Sequence, residues 1–167
     1  MMAVSPVLPP AEADAGRRNM RLLIQLRWIA VCGQLITIAV VQLVLGIALP
    51  LPPLLGAVAA LALFNLASQS LLRRRRAVTN GELTAALLFD VAALAWQLQF
   101  TGGVANPFAS LFLLQVVLSA ILLRPLSAWG IVGATLVALM AIAVRPVDLA
   151  LTPAYLANPL GLYLAGS

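Results

Sequence analysis

Long apolar runs alternate along this chain with short polar or proline-rich breaks. Ile29 to Leu49 is the first such run, and Pro50, Pro52 and Pro53 end it. A helix needs roughly 20 residues at 1.5 Å rise to cross a bilayer core, so the run reads as a first span. It is too long for a signal-peptide core and carries no clear cleavage site, so it reads as uncleaved. A second span runs from Leu54 to Leu72 and stops at Arg73-Arg74-Arg75-Arg76, before the polar turn Thr79-Asn80-Gly81. A third covers Glu82 to Phe100, a fourth Pro107 to Leu123, and a fifth Leu126 to Val144. The fourth stops at Arg124-Pro125 and the fifth at Arg145-Pro146. Residues 146–158 read as an interfacial loop. From Pro159 a sixth run begins and is cut off at Ser167, as in a fragment of a longer protein. The pattern predicts an all-α polytopic membrane helical bundle, with about five transmembrane helices plus the truncated start of a sixth. Residues 1–16 have no apolar period and read as a disordered leader. Residues 17–27 carry four arginines among leucines and read as a basic juxtamembrane helix on the membrane surface, with Trp28 at headgroup level. Residues 28–167 form the membrane domain.

Composition agrees. The chain is 63% hydrophobic and 9% charged, far below the roughly 25% charge of soluble domains. The net charge of +5 therefore marks topology rather than nucleic-acid binding. Nine arginines fall on one side of the predicted spans and only Arg145 on the other. The positive-inside rule makes the first side cytoplasmic, including the N-terminus. The absence of histidine excludes His-ligated metal, a Ser-His-Asp triad and a phospho-histidine within these residues. No metal site is expected. Cys32 cannot pair internally and reads as a small buried residue.

Between spans three and four lies Thr101-Gly102-Gly103-Val104-Ala105-Asn106-Pro107-Phe108, a break without charge. Helix punctuation explains much of it. Gly102 suits a left-handed helix stop, Asn106 an N-cap and Pro107 position N1. The same atoms suit a ligand. Two glycines expose backbone to a flat ring, a helix N-terminus favours a carbonyl oxygen, Asn106 offers a donor and Phe108 a stacking face. A quinone at the outer membrane boundary fits these requirements. Capping does not require Gly103 or Phe108. Phe108, Phe112, Gln115 and Ser119 are spaced to share a stripe on span four, and Asp90, Ala93 and Gln97 to share one on span three. Ordinary helix contact explains both stripes equally well. Asp90 is an intramembrane carboxylate, costing about 2.5–3.5 kcal/mol on insertion scales. It is expected to be protonated, paired with an arginine, or part of a proton path. Asn65, Ser68 and Gln69, with Gln34 and Gln42, suggest interhelical hydrogen bonds. Gly130, Ala134 and Ala138 suggest a packing or dimer face.

Gly102-Gly103-x-x-Asn106-Pro107-Phe108 resembles the GGxxNPF heptapeptide of RegB/PrrB-type redox-sensing histidine kinases. Leu26-Arg27-Trp28-Ile29-Ala30-Val31, Gly33-Gln34, the arginine cluster after span two and Phe89-Asp90 extend the resemblance over most of residues 19–125. It implies a six-span sensor in the bacterial inner membrane that binds a ubiquinone-type quinone near the heptapeptide. Gly102, Gly103, Asn106, Pro107 and Phe108 would carry that site, with Phe112 and Gln115 beside it. It also implies a homodimer and a cytoplasmic kinase acting on a response regulator. The family's phospho-accepting His, ATP-binding region and redox-active cytoplasmic Cys lie beyond the sixth span, so this stretch is expected to sense and not to phosphorylate. The competing expectation is a small multipass transporter or channel subunit using Asp90. A membrane-embedded enzyme has no motif to support it.

Overall fold

A computed structural model describes residues 10–44, 46, 49–74 and 77–144. It is all helical, with α1 over Pro10–Ala39, α2 over Leu51–Arg74, α3 over Asn80–Gln99, α4 over Leu111–Leu122 and α5 over Pro125–Val144. A π-helical turn, Val40–Val44, extends α1, and two 3₁₀ turns, Gly103–Ala105 and Pro107–Ser110, join α3 to α4. Four segments are long and apolar enough to cross a membrane: Asp14–Val44, Leu51–Arg74, Asn80–Gln99 and Pro125–Val144. The stretch Phe108–Leu122 is a shorter apolar helix. By connectivity it still traverses the bundle, because Arg124 N–H donates to Asn80 Oδ1 at the start of α3. Residues 107–122 rise about 26 Å as four 3₁₀ and twelve α-helical residues.

Side-chain contacts set the directions. Asn80 Nδ2 donates to Ser127 Oγ (2.7 Å), so α3 and α5 start at the same end. Gly103, just past α3, lies against Ile142 near the end of α5. Trp96 Nε1 donates to the Pro53 carbonyl (3.2 Å), placing the start of α2 beside the end of α3. Helices α1, α3 and α5 therefore run one way and α2 and α4 the other. Arg17, Arg18, Arg21, Arg73, Arg74 and Arg124 gather at one end, and the glycine turn lies at the opposite end. Arg75, Arg76, Arg145 and the loop and sixth run after Val144 lie outside the described residues.

Two boundaries and two side-chain placements differ from the sequence reading. Residues 10–16, expected in the leader, open α1. Residues 17–27 are not a separate surface helix. Met20, Leu23, Ile24, Arg27 and Val31 are all buried, at the 3–4 spacing of one continuous face. Trp28 accordingly sits mid-helix, exposed on the face away from Arg27 and Val31. Cys32, expected inside, is exposed, because Val31 holds the buried position and one residue turns the helix by about 100°. At the start of α3, Thr79 and Glu82 form a full capping box, which satisfies two orphan N–H groups. Glycine at position 16 is set by close approach: a Cβ there would collide with the Val78 carbonyl oxygen.

The core is a seam of Leu83, Ala86, Leu87, Val91, Leu94 and Leu98 on α3, packed against residues of the other helices. Helix α3 is the post around which the bundle is built. Large apolar side chains such as Leu126, Trp129, Val137 and Met140 of α5 point outward, as lipid-facing residues do in a bundle whose solvent is hydrocarbon.

Candidate functional site

Two polar constellations stand out among the described residues. The first is buried near the middle of α3. Arg27 is 3% exposed and grips Asp90 with two parallel bonds, Nε to Oδ1 at 2.7 Å and Nη2 to Oδ2 at 2.8 Å. This fork geometry is the strong form of a charge-assisted pair. Two of the three remaining guanidinium protons are also used: Nη1 donates to Asn65 Oδ1 (3.3 Å) and Nη2 to the Ala86 carbonyl (3.3 Å). Asn65 Nδ2 in turn donates to the Ile24 carbonyl (3.0 Å). Phe64 lies under the guanidinium, 4.9 Å from its carbon to the ring centre, and stacks on Phe89 at 4.2 Å. One arginine thus ties α1, α2 and α3 together. Asp90 is paired with an arginine, one of the expected outcomes, but the partner is Arg27, which the charge pattern had assigned to topology. The signal that identifies it was present: Arg27 falls on the face of Met20, Leu23, Ile24 and Val31, and lies ten residues into a helix beyond Arg17, about 15 Å along the axis.

Two turns further on, Gln97 Nε2 donates to Gln34 Oε1 (3.1 Å), a second polar link between α3 and α1. Ser68 bonds the Phe64 carbonyl of its own helix, and Gln42 accepts from the nearby Leu49 N–H, so neither of these joins two helices through the bonds seen here.

The second constellation is the glycine turn. Thr101 Oγ1 donates back to the Gln97 carbonyl (2.9 Å). Asn106 Nδ2 donates to the Thr101 carbonyl (2.7 Å) and to Thr101 Oγ1 (3.0 Å). Asn106 Oδ1 accepts from the Phe108 N–H (2.9 Å). The N-cap role of Asn106 is as expected, and Pro107 opens the following turn. The donor expected to face a ligand is spent inside the loop. Gly102 is left-handed at φ +99°. Gly103 has a structural reason that its sequence position did not reveal. Its φ is +61°, and a Cβ would lie 3.3 Å from Ile142 Cγ2. Both glycines and Asn106 are therefore required to shape the turn and seat it on α5.

The expected stripe on span four breaks at its first member. Phe112 is 1% exposed and Ser119 fully buried, while Phe108 is 46% exposed. The reason is the 3₁₀ turn at Pro107–Ser110, where about three residues per turn rotate Phe108 off the face that four residues would preserve in an α-helix. Gln115 lies on the buried face with Phe112, and its Oε1 has no partner atom. Thr135 Oγ1 on α5 is likewise buried without one. The turn thus presents exposed Phe108 and Val104 on a loop made rigid by its own hydrogen bonds.

Comparison with known proteins bears on this arrangement. The chain is 39% identical over 105 residues, 63% of its length, to the sensor histidine kinase RegB of Cereibacter sphaeroides. It is homologous to the N-terminal portion of RegB. A second RegB, from a named strain of the same species, is 39% identical over 78 residues, or 47% of this chain. The matched stretches cover 23% and 17% of those relatives, so the chain corresponds to less than a quarter of each. No protein-family profile matches the chain, and no solved structure does.

Proposed function

We propose that this chain is the membrane sensor portion of a two-component histidine kinase, and that it responds to the redox state of a ubiquinone-type quinone held at the Gly102–Phe108 turn. The observation that carries the reading is the 39% identity to RegB over 63% of the chain. The geometry supports it in a narrower way than the residue pattern suggested. Gly102, Gly103, Asn106 and Pro107 build the loop, and Phe108 is the exposed aromatic face it offers to a ring. Phe112 and Gln115 lie behind it, on the buried side of α4. The turn sits at the end of the bundle away from the arginines. With the arginine end cytoplasmic, the turn faces the periplasmic boundary of the inner membrane, where an amphiphilic quinone rests.

Signalling requires the ligand to bind two helix arrangements unequally. The contact of Gly103 with Ile142 supplies a place for this, since a ring pressed on the turn bears directly on the end of α5. The kinase region, a response regulator partner and a homodimer belong to the reading through its relatives. Asp90 does not favour a transporter, because its carboxylate is neutralised and bonded by Arg27. Binding of a short-tailed quinone to the purified chain tests the proposal. Phe108→Ala is expected to weaken binding about tenfold, the value of one good aromatic stacking contact of roughly 1–1.5 kcal/mol. Trp129→Phe on the lipid face is expected to leave it unchanged. Equal binding by Phe108→Ala and the unchanged chain would refute the assignment.

A further inference from the structure

A groove of about 420 Å³ opens between α2 and α3, lined by Pro53, Gly56 and Ala60 on one side and Phe89, Ala93 and Trp96 on the other. We infer that this groove holds the isoprenoid tail of the quinone whose head rests at the glycine turn; the inference rests on the reading just given. Its size is in the range of small-molecule pockets. Its walls are apolar, and small residues on both helices let a chain lie close to the backbone.

Three features select a flexible tail over a helix. The groove covers only the half of the bundle nearest the turn, running about 10 Å along α3 from Trp96 to Phe89. At its lower end lies Phe89, which stacks on Phe64 at 4.2 Å and precedes the Asp90 held by Arg27. A membrane-crossing helix needs a seam that continues through the bilayer, whereas a tail anchored at one surface needs only the near half. Finally, the groove ends at Trp96, five residues before the turn begins at Thr101. Trp96 and Phe100 are in tilted contact at 5.2 Å, and Phe100 immediately precedes Thr101. Phe89, Ala93 and Trp96 on α3 and Phe100 at its C-cap are spaced 4, 3 and 4, so they form one ladder from the mid-bundle towards the turn. Trp96 is also fixed across the mouth by its bond to the Pro53 carbonyl.

In a bilayer the tail is solvated by lipid wherever it lies, so the groove contributes packing rather than the full hydrophobic effect. A tailed quinone is therefore expected to bind only about tenfold better than a tail-less one at equal concentration in the membrane. The test uses two photoreactive benzoquinones with the same head, one farnesylated and one carrying a methyl group, and the whole chain in lipid nanodiscs. Space beside Gly56 is open, with no atom within 4 Å of an added Cβ, so Gly56→Leu fills the groove without displacing backbone. Ala60→Leu is the second blocking variant. Gly133→Leu, equally open and on the outer face of α5, is the control.

The expected result is that both blocking variants abolish the tenfold advantage of the farnesylated probe, keep labelling by the methyl probe, and differ in this from Gly133→Leu. Retained methyl-probe labelling also reports that the variants fold. Equal labelling of the unchanged chain by both probes, or a farnesyl advantage that survives Gly56→Leu and Ala60→Leu, would overturn the inference while leaving the turn as the head site. Crosslinking of Ala60→Cys to a second copy or to another helix would overturn it in favour of that occupant. Failure of both probes to label the unchanged chain would overturn the quinone reading itself.

Discussion

Replacing Arg27 by Met removes the centre of a knot that joins three helices. The variant side chain fills similar space but leaves Asp90 without its two short bonds, and leaves Asn65 Oδ1 and the Ala86 carbonyl without the guanidinium. Breaking a buried pair on one side costs about 3–5 kcal/mol, because a charge stays behind uncompensated. Asp90→Leu, which strands Arg27 instead, is expected to cost a similar amount. Removing both in Arg27→Met/Asp90→Leu leaves no buried charge, so the double variant is expected to lie within about 1–2 kcal/mol of the unchanged chain. The remaining deficit reflects the lost bond to Asn65, worth roughly 1 kcal/mol. The coupling energy of the cycle should then be at least about 4 kcal/mol. Reversible unfolding of the purified chain in mixed detergent micelles, followed by circular dichroism, measures all four proteins. Single variants that each cost under about 1 kcal/mol, as exposed pairs do, and that add in the double variant, would refute the buried-knot account.

Other outcomes follow from the turn and the caps. Gly103→Ala is expected to destabilise by about 1–3 kcal/mol, since it forces a side chain into left-handed backbone against Ile142 Cγ2, and in an Ile142→Ala background, where Cγ2 is gone, the same change should lose only the packing part of that cost in the same unfolding assay. Asn106→Ala should cost about 0.5–2 kcal/mol through loss of the N-cap and should loosen the turn, seen as faster amide exchange at Phe108. Thr79→Ala should cost about 1 kcal/mol at the start of α3, with no change in quinone binding.

Much of this architecture was legible in the residues. The apolar runs gave five traverses, and the proline and arginine breaks placed the turns close to their observed positions. Asn106, Pro107 and Gly102 follow helix-cap rules that are local and therefore readable. Long-range contacts were not readable in the same way. The partner of Asp90 lies 63 positions away at Arg27, and the charge pattern of the N-terminal segment pointed to the membrane surface. The need for Gly103 depends on Ile142, which no local rule connects to it. The exposure of Phe108 depends on a 3₁₀ turn that shifts the helical register by a fraction of a turn. Each miss has the same origin: the deciding neighbour is distant in sequence or the local period changes. The groove between α2 and α3 belongs to this class too, since it is a gap between two helices and not a motif in either.

The central claim is that the exposed face of the Gly102–Phe108 turn is where a quinone head binds. Photocrosslinking a benzoquinone probe to the chain in nanodiscs and identifying the labelled peptide by mass spectrometry tests this most directly. Label confined to the segment from Phe100 to Phe112, and displaced by excess unlabelled quinone, is the predicted result. Label spread over the lipid-facing residues of α1 and α5, undiminished by competitor, would contradict it.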